Sequence, residues 1–436
     1  MEVKGGLFSI LLHQNMGSRD YGFNSQMGCF HLISGRYMNH IKNHKNEKMK
    51  PMNRRSWIKS GLVAMGAMSI APAIALPRKE NLVAYQPQSI LKEHLPAFKF
   101  DESRLVARLN ANENPYGPAP KVVKAITDAI TSGNRYGHAD AATLISMIAE
   151  KEGVSPEHIM LGPGSSDLLE KTAFVSFKDG GNIVSADPAY MSLISTAQSL
   201  GATWKPVLLT KDYAHDLDAM EKAVDVDTKL VYICNPNNPT GSITDPVKLK
   251  AFCSKVSAKT PVFVDEAYLE FLDNPEDHSM VGLVAEGKDV IVARTFSKIH
   301  GMAGLRIGYI VAQPERIQNI TNKVRSTMGL CITSVKGAIA SMKEEQFLQT
   351  CKRLNTECRE YVSSELAALG YDFIPSHTSF VIFPIALEGQ SFMKAMYDSG
   401  VGIRVYNIAK KPWCRVSMGT MEEMQLFVES FKKVTV

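Results

Sequence analysis

From about Lys121 onward the chain alternates short β-branched runs with longer stretches of helical periodicity, and this alternation restricts the fold more than any other feature. A helix placed between two strands forms a crossover that returns the second strand parallel to the first, so repetition builds a mostly parallel sheet with helices on its faces. The expected strands are 158–161, 182–185, 205–209, 230–234, 262–264, 290–294 and 307–311. Each runs into Gly, Pro, Asn, Asp or Ser. In open sheets of this kind ligands gather at the carboxyl ends of the strands, so chemistry is sought in the residues just beyond these runs. The last ~110 residues read as long amphipathic helices with a few strands, which suggests a smaller α+β domain.

Composition excludes several other classes. With 45% hydrophobic and 21% charged residues the chain has ordinary globular character, neither disordered nor collagenous. Against 49 Lys and Arg stand 44 Asp and Glu, too small an excess for a nucleic-acid footprint. The seven cysteines are odd in number and show no C-x-x-C spacing, which excludes a disulfide scaffold and a zinc knuckle. No metal site is expected; His40 and His44 have helical pair spacing but no recognisable third ligand, and read as solvated.

The N-terminal region reads as an address. Asn53-Arg54-Arg55-Ser56-Trp57-Ile58-Lys59 precedes an uncharged stretch that ends in Ala73-Ile74-Ala75, the small-x-small pattern of a cleavage site. This order resembles a twin-arginine export signal, which implies the twin-arginine machinery as a partner and a periplasmic or otherwise exported location, with the cytoplasm the alternative if the signal is unused. The apolar run is shorter than the ~20 residues of a spanning helix, so cleavage is expected rather than anchoring. The polar stretch before Met52 is read as unstructured or as a mis-assigned start. The expected layout is therefore 1–51 without fold, 52–75 signal, 76–120 an N-terminal arm joining the small domain, 121–325 the large domain and 326–436 the small domain.

The strand tips, taken in order, carry Gly162-Pro-Gly-Ser-Ser-Asp167, Asp187-Pro-Ala-Tyr190, Asn235-Pro-Asn-Asn-Pro-Thr-Gly241, Asp265-Glu-Ala-Tyr268, Thr295-Phe-Ser-Lys298 and Gly304-Leu-Arg306. Singly, each has a plain structural explanation: turn chemistry, a tight strand-to-helix junction, a helix cap or a surface lysine. Together and in this order they resemble the fold-type-I pyridoxal-phosphate enzymes, specifically the class I/II aminotransferases. The likeness spans about Leu109 to Thr420. It is closest to the histidinol-phosphate aminotransferase branch, on Leu109-Asn-Ala-Asn-Glu-Asn-Pro-Tyr-Gly117, Asn134-Arg-Tyr136 and Arg415-Val-Ser-Met-Gly-Thr420. The resemblance implies a large domain with a mostly parallel seven-stranded sheet between helices, a smaller α+β domain, and pyridoxal 5'-phosphate as cofactor.

What the chemistry demands can be checked against these positions. A pyridoxal enzyme needs an amine to hold the aldehyde as a Schiff base, and a lysine near other cations in a partly dry site has its pKa lowered enough to serve. Lys298 matches that lysine. The ring nitrogen stays protonated only beside a buried carboxylate, and Asp265 matches it. Tyr268 and Asn238 would bond the ring's phenolic oxygen, and Tyr190 would stack on its face. For the phosphate, Gly164, Ser165 and Ser166 would open a helix over 167–174, with Ser297 and Arg306 adding charge-assisted contacts. The resemblance brings Tyr136 to the phosphate from a second subunit, hence a homodimer. Arg415 matches the family's carboxylate arginine. Arg404 corresponds to a second arginine near the substrate side chain, although Gly402-Ile-Arg-Val405 could equally be an edge strand with a solvated charge. Asn112 and Tyr116 are expected to line the entrance.

The implied reaction is a ping-pong transamination between an L-amino acid, or an amino-acid-like phosphate such as histidinol phosphate, and a 2-oxo acid. A decarboxylase, lyase or oxidase could use the same constellation. A pyridoxal-binding regulator would carry a DNA-binding domain where the export signal stands, and a non-catalytic carrier would not need Lys298, Asp265 and Arg415 together. Pro163 with Ser166, Ala189 and His377-Thr-Ser-Phe380 depart from the branch's usual residues. None of these removes a cofactor contact; with the export signal, they bear on the substrate, and the branch name is taken as ancestry.

Overall fold

The computed structural model describes residues 88–324 and 329–435. The expected unstructured start, the export signal, residues 76–87 of the arm and the expected boundary at 325/326 lie outside the described residues.

In chain order the arm supplies two short strands, β1 (Leu91–His94) and β2 (Ala107–Arg108). The large sheet follows with β3 (Ile159–Gly162), β4 (Asn182–Asp187), β5 (Thr203–Leu208), β6 (Thr228–Cys234), β7 (Val262–Asp265), β8 (Val290–Thr295) and β9 (Gly308–Val311). Its order is β3-β9-β8-β7-β6-β4-β5, so all seven expected strands are present in one mixed sheet. β4, β5, β6, β7 and β8 pair parallel, while β9 runs antiparallel to both neighbours, β8 and β3.

Burial explains why the strands read as continuous apolar runs rather than alternating ones. β4, β7, β8 and β9 are buried along their whole length, because both faces are covered. Consecutive residues enter opposite cores: Val184, Val231, Val264 and Val292 pack on one side, and Ile183, Tyr232, Phe263 and Ile291 on the other. The edge strand β5 alone is half-exposed along most of its length.

The reversal of β9 matters for the site. Because Gly308 is in register with both Thr295 and Gly162, the start of β9 lies at the edge where β3 and β8 end. Arg306, which precedes its strand in sequence, is thereby brought to the same rim as residues that follow theirs.

The second sheet gathers β10 (Phe380–Pro384), β12 (Arg404–Ile408) and β13 (Lys411–Ser417) with β1 from the arm, in the antiparallel order β1-β12-β13-β10. β11 (Val401–Gly402) pairs parallel with β2. Behind this sheet Phe431 meets the rings of Phe383 and Phe392 edge to face at 5.4 and 5.9 Å and stacks on Phe427 at 5.9 Å, while Phe383 is edge-on to Phe427. The edge-strand alternative for Arg404 is thus incorrect: β12 lies between β1 and β13, and the arm's backbone pairing occupies the side that would otherwise be open.

Candidate active site

A cleft of about 640 Å³ opens where the carboxyl ends of the large sheet face the second sheet. Asn112, Ser165, Ser166, Tyr190, Asn238, Asp265, Tyr268, Ser297, Lys298, Arg306, Arg404 and Arg415 all line it. Residues drawn from positions 112 to 415 therefore converge on one space, as strand-tip chemistry requires.

At the end of β7, Asp265 is 3% exposed. Its Oδ1 accepts the Ala267 N–H at 3.2 Å and its Oδ2 the Tyr232 hydroxyl at 3.4 Å. Burial pushes the carboxyl up to about 6, against the pull of these donors and of Lys298. A cation placed beside it would reverse that shift, which is the electrostatic demand a protonated ring nitrogen makes.

Lys298 follows β8. Its Nζ donates to the Asn112 carbonyl at 3.1 Å and lies 5.5 Å from the centre of the Tyr268 ring. Desolvation in the cleft, aided by the charges of Arg415 and Arg306, brings its pKa down to about 8. An ordinary lysine is almost wholly protonated at neutral pH, whereas this one has ~10% neutral amine at pH 7. The rate of covalent cofactor capture by the apoprotein is therefore expected to rise with pH and level off above about 8. Stopped-flow absorbance against pH checks this; a rate still climbing through pH 10 would mark an unperturbed lysine.

Tyr268 is buried, accepts from Asn112 Nδ2 at 2.9 Å and stands edge-on to Phe380. Asn112 has φ +52 and is fixed by Ser417, which takes its backbone N–H and donates to its Oδ1. Asn238 Oδ1 accepts from Arg415 Nη1 at 2.9 Å, so the asparagine expected on the ring oxygen also braces the carboxylate arginine.

The anion cradle is built by a helix slightly longer than expected, Ser165–Phe177. It starts at Ser165 because Gly164, at φ +87, takes a backbone conformation that L side chains rarely adopt and ends the preceding strand sharply. Ser165 and Ser166 thus sit in the first turn, where N–H groups have no helical acceptor. Arg306 Nη1 donates to Ser297 Oγ at 3.3 Å, and Ser297 in turn is tied to Thr295. A Cβ on Gly164 would lie 2.2 Å from Arg306 Nη2. Gly164→Ala is accordingly expected to push Arg306 off the cradle and raise the cofactor's dissociation constant by ~tenfold or more. Titration of the apoprotein with pyridoxal phosphate tests this, and an unchanged constant would contradict it.

Three expected positions need comment. Gly164 shapes the cradle from behind and does not line the cleft. Tyr116 is not at the entrance; it packs half-buried against the Tyr268, Phe271 and Ile299 cluster, because the loop after Asn114 turns away. Tyr136 is 79% exposed and stacks on His138, pointing at no group of its own cleft. Sequence reasoning missed Glu93, Asn110, Tyr232 and Tyr406. Tyr232 alone carried a usable signal, as a polar tip in a buried strand one strand away from Asp265.

A lysine of lowered pKa and a buried acid on one cleft, with a helix-start cradle between serines and an arginine, define a fold-type-I pyridoxal-phosphate enzyme. These residues fit the cofactor by donor set and by charge. Residues 105–431 match the family described as Aminotransferase class I and II, and the chain belongs to that family. It is 35% identical over 340 residues to histidinol-phosphate aminotransferase 1 of Cupriavidus pinatubonensis, covering 77% of this chain and 90% of that protein. It is 33% identical over 355 residues to the histidinol-phosphate aminotransferase of Akkermansia muciniphila, covering 81% and 96%. The solved histidinol-phosphate aminotransferase from Sinorhizobium meliloti, in complex with pyridoxal-5'-phosphate, superposes with TM-score 0.71 at 28% identity, covering 78% of this chain and 95% of that one. The protein is a pyridoxal-phosphate-dependent aminotransferase.

Proposed function

We propose that the amino donor is an L-α-amino acid whose carboxylate is held by Arg415, and that a 2-oxo acid returns the cofactor to its starting form. The observation that carries this is Arg415 itself. It is 5% exposed, lies between the Phe380 and Tyr406 rings at 5.2 and 5.5 Å, and keeps a buried Nε with no hydrogen-bond partner among the described residues. An unanswered buried donor on a charged group costs about 1–3 kcal/mol, so the site favours an incoming anion.

Pyridoxal phosphate supplies an aldehyde that takes up the amino group and a ring that draws electrons from the bond being broken. Asp265, as carboxylate, would hold the proton on the ring nitrogen. Tyr268 and Asn238 would hold the ring oxygen, while Ser165, Ser166, Ser297 and Arg306, which line the same cleft, would hold the phosphate. Lys298 is the amine that would hold the cofactor's aldehyde at rest, and once freed by the donor it would serve as the base that takes the substrate Cα proton and the acid that returns it. The Asn112 carbonyl accepts from the Lys298 amine and would keep it beside Tyr268 when it is not bonded to the cofactor.

A half-reaction screen of cofactor-loaded protein tests the proposal, using the L-amino acids and histidinol phosphate with deuterium at Cα. Loss of the deuterium with formation of a 2-oxo acid from an amino acid, or of the corresponding keto phosphate from histidinol phosphate, supports transamination. Release of carbon dioxide with retention of the Cα hydrogen framework as an amine would establish a decarboxylase instead.

The functional unit we propose is a homodimer in which the exposed Tyr136 reaches the partner's phosphate cradle. A tenfold or greater loss of cofactor affinity in Tyr136→Phe, with dimers retained in sedimentation, supports that role. We also propose export through the twin-arginine route, which carries folded proteins and would allow cofactor loading first. Fractionation of cells bearing Arg54→Lys with Arg55→Lys tests it, since an exported protein should then remain cytoplasmic.

A further inference from the structure

The mouth of the cleft carries charges that amino-group transfer alone does not require. Arg404 and Arg415 are register partners on β12 and β13, two guanidinium groups directly opposite one another, a placement that destabilises a sheet unless an anion answers it. The Asn110 carbonyl accepts from both, from Arg404 Nε at 2.6 Å and from Arg415 Nη2 at 3.3 Å. The answering anion is Glu93. It sits on β1 in register with Tyr406, its Oε1 accepts from Arg404 Nη1, and it lines the same cleft as both arginines.

Arg404 is therefore engaged along two edges of its fork, by a backbone carbonyl and by a carboxylate, whereas Arg415 bonds only neutral oxygens and keeps a buried Nε without a partner among the described residues. The arm that carries Glu93 is held in place just upstream. The Ser89 hydroxyl and the Ile90 N–H both donate to the Asp187 carboxylate at the end of β4, three residues before Tyr190. Glu93 is thus positioned by strand pairing on one side and by a carboxylate latch on the other.

We infer that Glu93 is a specificity-determining residue that stands where a donor's second anionic group would bind. This rests on the transamination proposed above and names the donor class of that site: amino acids with one carboxylate and an uncharged or cationic side chain. Such a donor leaves the Glu93–Arg404 pair intact. A donor with a second carboxylate meets Glu93 as a like charge and must compete with it for Arg404. In a partly exposed cleft one such charge interaction corresponds to about a tenfold change in selectivity.

The test uses donor pairs that differ only in charge. Half-reaction kcat/KM is measured for L-glutamate against L-glutamine and for L-aspartate against L-asparagine, in the holoenzyme and in Glu93→Gln, which keeps size and acceptor but removes the charge. The acid-to-amide ratio is expected to rise at least about tenfold in the variant, and Glu93→Gln with Arg404→Gln is expected to lose that gain. Dissociation constants of the unreactive pair succinate and succinamate, read by perturbation of the holoenzyme's absorbance, should move in the same direction without turnover. A ratio that stays unchanged or falls in Glu93→Gln, in either assay, overturns the inference. If no donor reacts but the succinate-to-succinamate ratio shifts as expected, the transamination reading fails while the role of Glu93 as a charge selector stands.

Discussion

Lys298→Ala is expected to lose covalent attachment of the cofactor and to slow the half-reaction by about 10⁴-fold, the upper end of what one positioned proton carrier contributes. Two roles converge on this one nitrogen. It must be neutral to bond the aldehyde carbon, and its pKa of about 8 makes that accessible near neutrality. It must also stay close once released, and the Asn112 carbonyl 3.1 Å away provides that resting point. The cleft would survive the substitution, because Asp265, Tyr268 and Arg415 are each fixed by other partners. Pyridoxal phosphate should therefore still bind, non-covalently, with an altered absorbance spectrum. Added methylamine or ethylamine should restore part of the rate. A variant with wild-type turnover would remove Lys298 from the mechanism.

Asp265→Asn is expected to lower turnover by roughly a hundred- to a thousandfold, the range seen when one preorganised electrostatic partner is removed from a buried site. The asparagine fills the same volume and can still accept from the Ala267 N–H, so the loss is one of charge. The wild-type protein should show the same dependence through pH. Burial raises the Asp265 carboxyl to about 6, so it is protonated below that value and ionised above it. Only the ionised form pairs with a protonated ring nitrogen. Cofactor affinity should then fall as pH drops through about 6, and Asp265→Asn should be weak at all pH values and lose the inflection. Equilibrium titration between pH 5 and 8 measures both. A persistent inflection in the variant would place the titrating group elsewhere.

The large sheet was legible because parallel strands covered on both faces leave long apolar runs, and each ends in residues that cannot continue a strand. The strands around Asp265 and Lys298 were placed to within one or two residues for that reason. Orientation was less legible. Nothing in 307–311 marks β9 as antiparallel, yet that reversal is what brings Arg306 to the cradle. Arg404 shows the other limit. Whether a five-residue strand is an edge or an interior one depends on what pairs beside it, and its neighbour β1 comes from more than 300 residues away in sequence. Glu93 escaped for the same reason, since a lone acid in an arm has no motif and acquires meaning only when the sheet closes. Tyr116 was misplaced because a motif fixes neighbours in sequence, whereas the turn at Asn114 decides which of them face the cleft.

The most direct test of the whole account is reduction of the holoenzyme with borohydride followed by peptide mapping. A phosphopyridoxyl group found on Lys298, and absent in Lys298→Ala, is the predicted result. A label on another lysine, or no label on a protein that still turns over, would contradict it.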